Sequence, residues 1–441
     1  MYTDKELKEA TQIVYLSFLA DAEETLRFDG VKGPYTIMDL IKSQINLNAA
    51  FKEALEAGID KNEITIKELA KYSNLKDSDK AIIERFSKDM FDWKLVDITD
   101  LNGLNGFVAC CIETSEKEAI VAFRGSENMS EPTNMVNDWI RADFGLLRSD
   151  ETRQQEETEK YGEKLERKGI IDKYDSLAVT GHSLGGNLAS HFTVSSAKKG
   201  KEHIFEKIKQ SINFDGPGVS EIYLKKHEAE IKKAAPKLKR YRWSAVGTLL
   251  FDMPGENTEF LDINDDLYKD DPKKRIKYKL ITRHDTKSLL FDENGNAKRG
   301  KQDIVSKGLS TLSKAIDKFL PPIITTEIFA ATDWVFERLL RISENRNIQL
   351  NDPDWAERFT KKGSVLAACV NFLNKSVDIL KQGALGLQNE IAEIFAPVPQ
   401  LKPAYADVMG GINYDNRLNM SAMRNSQNIF FRKDNEYTRD V

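Results

Sequence analysis

The sequence predicts an α/β protein with a mostly parallel sheet, preceded by one helical segment and followed by another. Three observations lead to this prediction. Between residues 93 and 284, short β-rich runs alternate with helical runs at the spacing of β-α-β units. Residues 1–90 and 301–395 instead place apolar residues three and four positions apart, which is the helical period. Finally, a Gly-x-Ser-x-Gly segment joins one predicted strand to one predicted helix.

The elements are arranged in a clear order along the chain. Residues 1–90 are expected to form a helical preface that packs on the strands after it. From Trp93 the period becomes that of strands, and WKLVDI, GFVACCIET and EAIVAFRG, separated by turn residues, predict a hairpin that leads into a central strand. A charged helix is expected over 151–168. After it, strands and helices alternate in the order SLAVT, NLASHFTVSSA, SINFD, a helix over 222–235, RYRWSAV, FLDI and YKLITRH.

The pattern changes again near Lys301. From there to 395 the apolar residues fall at helical spacing, with prolines between the runs. Residues 396–441 are rich in Pro, Gly and Asn and show no period. We therefore expect a principal domain over 1–300, a helical module over 301–395 and an irregular tail over 396–441.

Charge and composition argue against a nucleic-acid binder. The chain has 441 residues, with 65 basic and 70 acidic side chains, so its formal net charge is −5. This balance gives no single-sign field to attract DNA or RNA. Apolar residues make up 40% of the chain, and with the 25 glycines this approaches the level of a globular protein. Disorder over the whole chain is excluded.

Cysteine spacing and targeting signals exclude further classes. Cys110, Cys111 and Cys369 show no Cys-x-x-Cys spacing for zinc or redox chemistry. The N-terminal apolar run over 13–20 is followed at once by acidic residues, unlike a signal peptide. The best candidate membrane span, 364–373, is shorter than the roughly 20 residues required. We expect a protein that is soluble when made and is either cytoplasmic or exported by a non-classical route.

The segment GHSLGG at 181–186 has the pattern of a nucleophile elbow. In such an elbow a serine lies on a strained turn whose neighbours lack side chains, so that strand and helix pass closely. The following helix directs its N–H groups at the site, and we expect the N–H of Leu184 to bind an oxyanion. A tight turn capped by serine is the structural alternative. The strand before it and the helix after it favour Ser183 as a nucleophile.

A serine nucleophile needs a base, and the chain has five histidines. His182 lies in the elbow and cannot turn back onto the serine. His191 lies two turns along the next helix and is expected to pack there. His203 and His227 lie in Lys- and Glu-rich segments and are expected to be solvated. His284, after the run YKLIT, remains as the predicted base, and its position after the nucleophile is the chain order of α/β-hydrolases; an ordinary loop histidine is the alternative.

Several motifs resemble those of the class 3 (fungal-type) lipases. GHSLGG is preceded by AFRGSE and by a Trp-x-x-x-Asp segment over 139–143. FDGPG at 214–218 and SAVG at 244–247 resemble segments of a bacterial lipase-like branch of the same family. The resemblance covers roughly residues 10–295 and leaves out the C-terminal module. It implies an α/β-hydrolase-like fold.

The resemblance also implies parts of the site. By similarity, the turn after the central strand supplies the second oxyanion donor at Ser126. The segment over 128–147 corresponds to the lid, so activation at a lipid surface is expected. Acylglycerols or phospholipids are the implied substrates, with short-chain esters left open.

The acid of the triad departs from the family pattern. The family carries it where this chain has Ser244, so the acid has moved or is absent. Asp215 follows the strand after the nucleophile helix and is our first choice, because a carboxylate at that sheet edge can reach the histidine. Asp252 is the alternative acid, and Asp262 or a dyad also stays open. An Asx turn before the Gly-Pro dipeptide would explain Asp215 without catalysis.

These residues together predict a serine esterase or lipase that needs no cofactor and no metal. Asp138 and Asp143 are expected to form a solvated face or to anchor the oxyanion turn. The expected partners are a lipid or ester substrate and a membrane surface, with no nucleic acid. Two alternatives stay open: a phospholipase-type effector whose C-terminal module binds its target or a small helical protein, and a non-catalytic scaffold.

Overall fold

A mixed sheet forms the centre of the computed structural model, which describes residues 2–30, 32–125, 152–244, 246–264, 282–302, 306, 310, 313 and 314. In these residues eight strands lie side by side in chain order. The strands are β1 (Tyr35–Thr36), β2 (Lys94–Leu101), β3 (Phe107–Ser115), β4 (Glu118–Phe123), β5 (Ser176–His182), β6 (Ile208–Phe214), β7 (Leu238–Arg242) and β8 (Asn257–Phe260).

The direction of pairing changes at β4. Strands β1 to β4 pair antiparallel, whereas β4 to β8 pair parallel. The antiparallel part contains the hairpin predicted from GFVACCIET and EAIVAFRG. Because parallel strands need crossover connections, the chain passes through helices between β4 and β5, between β5 and β6 and between β6 and β7. The predicted α/β fold class with a mostly parallel sheet is confirmed.

Helices flank the sheet on both faces. The predicted preface forms six of them, and two begin with a capping box, in which Thr3 or Thr36 caps the helix and an acidic side chain three residues later bonds back. The helices are α1 (Asp4–Ile13), α2 (Leu19–Phe28), α3 (Ile37–Ser43), α4 (Leu47–Glu56), α5 (Ile66–Lys71), α6 (Asp77–Glu84), α7 (Asn102–Asn105), α8 (Arg153–Arg167), α9 (Leu184–Ser196), α10 (Glu202–Lys207), α11 (Glu221–Lys226) and α12 (Glu228–Ala234).

Two apolar layers hold the helices on the sheet. Cys110 and Cys111 are adjacent on β3 and face opposite layers, as the strand period requires. The first layer joins the preface, including Leu7 of α1, to one face. The second joins Tyr161 of α8 and Phe192 of α9 to the other. Since each large buried side chain contributes about 1.5–3 kcal/mol, the preface is an integral part of this core.

Some predicted elements differ from the observed ones. The helix expected over 222–235 is divided into α11 and α12 at His227. The run FLDI contributes mostly single bridges, because β8 lies a few residues earlier. The predicted strand YKLIT, the implied lid over 128–147, the tail over 396–441 and nearly all of the module over 301–395 lie outside the described residues. In the described residues, no helix is long and apolar enough to cross a membrane.

The parallel strands bring four turns to one edge of the sheet. Phe123 pairs with Gly181, His182 with Phe214, and Phe214 with Tyr241, so four neighbouring strands end at the same level. In open α/β sheets this carboxyl edge is where ligands bind. The elbow, FDGPG and the turn after β7 all begin there.

Candidate active site

Ser183 lies on a strained turn between β5 and α9. Its backbone has φ 59° and ψ −136°, a conformation that costs a residue with a side chain about 1–3 kcal/mol. The turn is held because the N–H of Ser183 donates to the carbonyl of Phe214 on β6, at 3.0 Å. The serine is 6% exposed. This is the local geometry expected of a nucleophile elbow.

Glycines allow the close approach that the turn requires. A Cβ on Gly181 would lie 2.1 Å from the carbonyl oxygen of Gly185. A Cβ on Gly185 would lie 2.2 Å from the carbonyl oxygen of Phe123, at the end of β4. Both distances are too short for any side chain. The GHSLGG pattern is therefore explained by packing of backbone on backbone.

The N-terminus of α9 faces the same turn. Leu184 is the first residue of the helix, so its N–H has no acceptor within the helix. This free N–H and the partial positive charge of the helix end suit an oxyanion. The other predicted donor, Ser126, lies outside the described residues, since the described range that contains β4 ends at Gly125.

Asp215 and His284 form a buried pair beside the elbow. Oδ2 of Asp215 lies 2.7 Å from Nδ1 of His284. The other carboxylate oxygen accepts N–H bonds from Trp243 at 2.9 Å and Ser244 at 3.1 Å. The aspartate is fully buried and has φ 52°, so the turn after β6 directs its carboxylate inward.

The second nitrogen of His284 has no hydrogen-bond partner in the part of the chain that the structure describes. With Nδ1 donating to the carboxylate, Nε2 is left as the acceptor, and it is buried without a hydrogen bond to any described residue. Ser183 Oγ is therefore not yet bonded to it. Such a bond often forms only when substrate is bound. The hydroxyl of Ser244 lies 3.3 Å from Nδ1 of His284, where the family would have its acid.

Two side chains fix the loop that carries the histidine. Nε2 of His182 lies 2.8 Å from the carbonyl oxygen of His284, and since a carbonyl only accepts, this nitrogen carries the proton. The pKa of His182 is lowered to about 3, mainly by burial and to a lesser extent by the neighbouring His284. The indole N–H of Trp243 donates to the carbonyl of Arg283 at 2.8 Å. His182 has no predicted role in the sequence, because its position beside Ser183 gives no sign of a contact across the sheet.

The alternative acids lie elsewhere. The carboxylate of Asp252 binds Arg240 at 3.1 Å and also Arg242, and its side chain is 41% exposed. Asp262 accepts a hydrogen bond from its neighbour Ile263. Among the three candidate carboxylates, the structure brings only Asp215 to His284.

The remaining histidines divide into buried and exposed. His191 packs as expected, with Nδ1 2.7 Å from the hydroxyl of Tyr223. His203 is half exposed and lies 3.2 Å from Asp172. The prediction for His227 was wrong: this residue is 2% exposed, because the break between α11 and α12 turns its ring onto Tyr223. In the described part of the chain, no three His, Cys, Asp or Glu residues cluster as metal ligands.

Comparisons with known proteins point to similar relatives. Residues 85–259 match the family model described as Mbeg1-like, a range that contains Ser183 and Asp215 and ends before His284. No curated protein sequence matches the chain. Among solved structures, M37 lipase is 17% identical, with 56% of this chain and 69% of that chain covered and a TM-score of 0.29.

Two fungal structures are similar as well. The Rhizomucor miehei lipase propeptide complex is 13% identical, with 67% of this chain and 83% of that chain covered and a TM-score of 0.29. The lipase from Rhizopus microsporus var. chinensis is 14% identical, with 67% and 94% covered and a TM-score of 0.28. The family model by itself shows similarity to the Mbeg1-like family over the part of the chain that contains the elbow.

Proposed function

We propose that this protein is a serine ester hydrolase that acts on lipid esters. The observation that carries the proposal is the buried Asp215–His284 pair, which leaves Nε2 without a hydrogen bond to a described residue. The pair contacts the elbow at His182, next to the strained Ser183. The Mbeg1-like match and the sequence motifs shared with lipases support the same class of reaction.

The first half of the reaction forms an acyl-enzyme. Oγ of Ser183 attacks the ester carbonyl carbon while Nε2 of His284 takes the hydroxyl proton. The carbonyl oxygen becomes an oxyanion and is bound by the N–H of Leu184 and, by family resemblance, by Ser126. When the intermediate collapses, the bond to the leaving alcohol breaks, and His284 returns its proton to that alcohol.

The second half repeats the chemistry with water. His284 takes a proton from water as its oxygen attacks the acyl carbon, and the bond to Ser183 then breaks with return of the proton to Oγ. In both halves Asp215 accepts a hydrogen bond from the Nδ1–H of His284, which fixes the imidazole tautomer and stabilises its charged form. Two backbone N–H groups hold this carboxylate, so it does not need to reorient during the cycle.

The hint of a non-catalytic scaffold was the serine at the family's acid position. Asp215 argues against a non-catalytic scaffold, because its carboxylate, from the neighbouring turn, reaches His284 in place of the family's acid. Ser244 then supports the pair: its N–H donates to the carboxylate of Asp215, and its hydroxyl lies near Nδ1 of His284. The effector alternative depends on the C-terminal module, outside the described residues, and stays a prediction.

The test uses Ser183→Ala and a substrate panel. Wild-type protein should hydrolyse 4-nitrophenyl esters of increasing chain length or phospholipid vesicles, and a fluorophosphonate should label Ser183. The variant should lose labelling and about 10⁶ in kcat. Ser196→Ala is the matched control, because Ser196 lies buried at the other end of α9 and its hydroxyl donates to a carbonyl within its own helix. Residual activity of Ser183→Ala within tenfold of wild type would contradict the assignment.

A further inference from the structure

The hydroxyl of Tyr15 lies at the elbow, although this residue belongs to the helical preface. The N–H of Gly125, just beyond the end of β4, donates to Oη of Tyr15 at 3.0 Å. A Cβ placed on Gly125 would lie 2.7 Å from that oxygen and 2.9 Å from Cβ of Ser183. The phenol and the nucleophile therefore border the same small space.

The proton of this hydroxyl is available for donation. Oη accepts one hydrogen bond from Gly125, and its own hydrogen has no acceptor among the described residues. Burial raises the pKa of Tyr15 to about 12, despite the opposing effect of the Gly125 N–H. The phenol therefore stays protonated throughout the neutral pH range and can donate.

The hydroxyl also takes the N–H of Gly125 out of use. That N–H points at Tyr15, so it cannot serve an oxyanion directly. The bond passes its polarity on, because a hydroxyl that accepts one hydrogen bond becomes a stronger donor in the next. In the described part of the site, Leu184 is the other donor.

We propose that Tyr15 donates a hydrogen bond to the oxyanion that forms when Ser183 attacks an ester. The inference rests on the ester hydrolase proposed above. The proton stays on the phenol throughout, so the step is electrostatic stabilisation and no bond to hydrogen is broken. Tyr15 is in this sense a catalytic residue contributed by the segment after α1, and the preface completes the active site.

The test compares Tyr15→Phe with wild type on a soluble ester and on a transition-state analogue. Removal of one oxyanion donor should lower kcat by about 10²–10³ with little change in KM. Affinity for a trifluoromethyl ketone, whose adduct with Ser183 carries the oxyanion, should fall by the same factor. Tyr2→Phe is the control, since it removes a tyrosine hydroxyl that bonds Thr114 on β3 instead, and it should leave kcat unchanged.

A second variant keeps the hydroxyl and the fold. Incorporation of 3-fluorotyrosine at position 15 makes the phenol more acidic and a stronger donor, so analogue affinity should rise. A kcat for Tyr15→Phe within threefold of wild type would overturn the inference. So would a rise in KM equal to the loss of analogue affinity and accompanied by a lower Tm. An analogue affinity that does not respond to fluorination would overturn it as well. Failure of the wild-type protein to hydrolyse any ester or to be labelled would instead overturn the proposed function itself.

Discussion

Asp215 divides its carboxylate between two tasks, and this division explains how the acid can lie after β6. One oxygen is held by the N–H groups of Trp243 and Ser244, and the other faces His284. The backbone at φ 52° is a conformation that Asp tolerates better than most residues. The turn therefore fixes the carboxylate before any substrate binds.

Asp215→Asn should lower kcat by about 10⁴, because the amide can stabilise the wrong imidazole tautomer. Asp252→Asn should leave kcat nearly unchanged, since its carboxylate contacts Arg240 and Arg242 rather than the histidine. Steady-state kinetics on a soluble ester distinguish the two variants. The reverse result would assign the acid to Asp252.

His182 should make folding stability depend on pH. Its pKa is lowered to about 3 by burial and by His284, whereas an unfolded histidine titrates near 6.5. Between those values the unfolded chain binds a proton that the native protein does not. The free energy of unfolding therefore falls as the pH falls through this window, by at most about 1.4 kcal/mol per unit.

Urea unfolding at pH 7.5 and pH 5 measures this effect. His182→Gln keeps an N–H donor for the carbonyl of His284 but cannot titrate, so it should lose less stability than wild type between the two pH values. His203→Gln, at a half-exposed position, should behave like wild type. Equal pH dependence in wild type and His182→Gln would count against a neutral, buried His182.

At the residue scale, the sequence predicts the residues whose chemistry is marked by a motif, and the structure brings two of them, Asp215 and His284, into contact. Ser183 and His284 were selected by a turn pattern and by elimination, and Asp215 by its place after a strand. His182, Trp243 and Tyr15 were not assigned to the site. Their contacts join residues 40 to 110 positions apart, and a contact over such a separation leaves no local pattern in the sequence.

At the scale of elements, the unit from β5 through the elbow to α9 depends on the absence of side chains. Gly185→Ala would place a methyl 2.2 Å from the carbonyl oxygen of Phe123, so β4 and α9 would have to separate. Overpacking typically costs about 1–3 kcal/mol, and we expect at least that together with a loss of kcat. Thermal unfolding and steady-state kinetics measure the two effects.

Gly200→Ala is the control for this prediction. Gly200 has φ 89° but open space around it, so the substitution adds backbone strain without a clash. It should lower the Tm slightly and leave kcat unchanged. If Gly185→Ala matched Gly200→Ala in both measurements, close packing at the elbow would not be what the glycine provides.

Strand and helix boundaries were predictable where the period was strong. SLAVT, SINFD and GFVACCIET each correspond to an observed strand, because buried β-branched and apolar runs have few other stable conformations. The prediction of one helix over 222–235 was wrong at His227. The sequence there has a continuous helical pattern, but the structure has a break, which the packing of His227 on Tyr223 and His191 stabilises. Tertiary contacts of this kind override local preference.

At the scale of the whole molecule, the helical preface does more than precede the sheet. It closes one face of the core and brings Tyr15 to the elbow, while Asp4 binds Tyr241 on β7 and the N–H of Ala297. The first described residues are thus tied to β7 and to the segment that contains Ala297. Packing of the preface on the later strands was predictable from its apolar stripes, but its part in the site could not be seen without the fold.

The expected domain boundary at 301 can be tested by two truncations. Two hydrogen bonds between described residues cross this boundary. Thr248 donates to the carbonyl of Ser306 at 3.0 Å, and the N–H of Leu250 donates to the hydroxyl of Ser313 at 3.0 Å. Removal of the two acceptors loses two hydrogen bonds, each of which contributes about 0.5–1.5 kcal/mol. A chain that ends at Gly300 should therefore unfold several degrees below one that ends at Lys314.

Every residue assigned to chemistry is kept in both truncated chains, so both should hydrolyse a small soluble ester. The longer one should match the full-length protein in kcat and Tm. Aggregation or loss of esterase activity in the chain ending at Lys314 would show that residues 315–441 belong to the folded core rather than to an independent module.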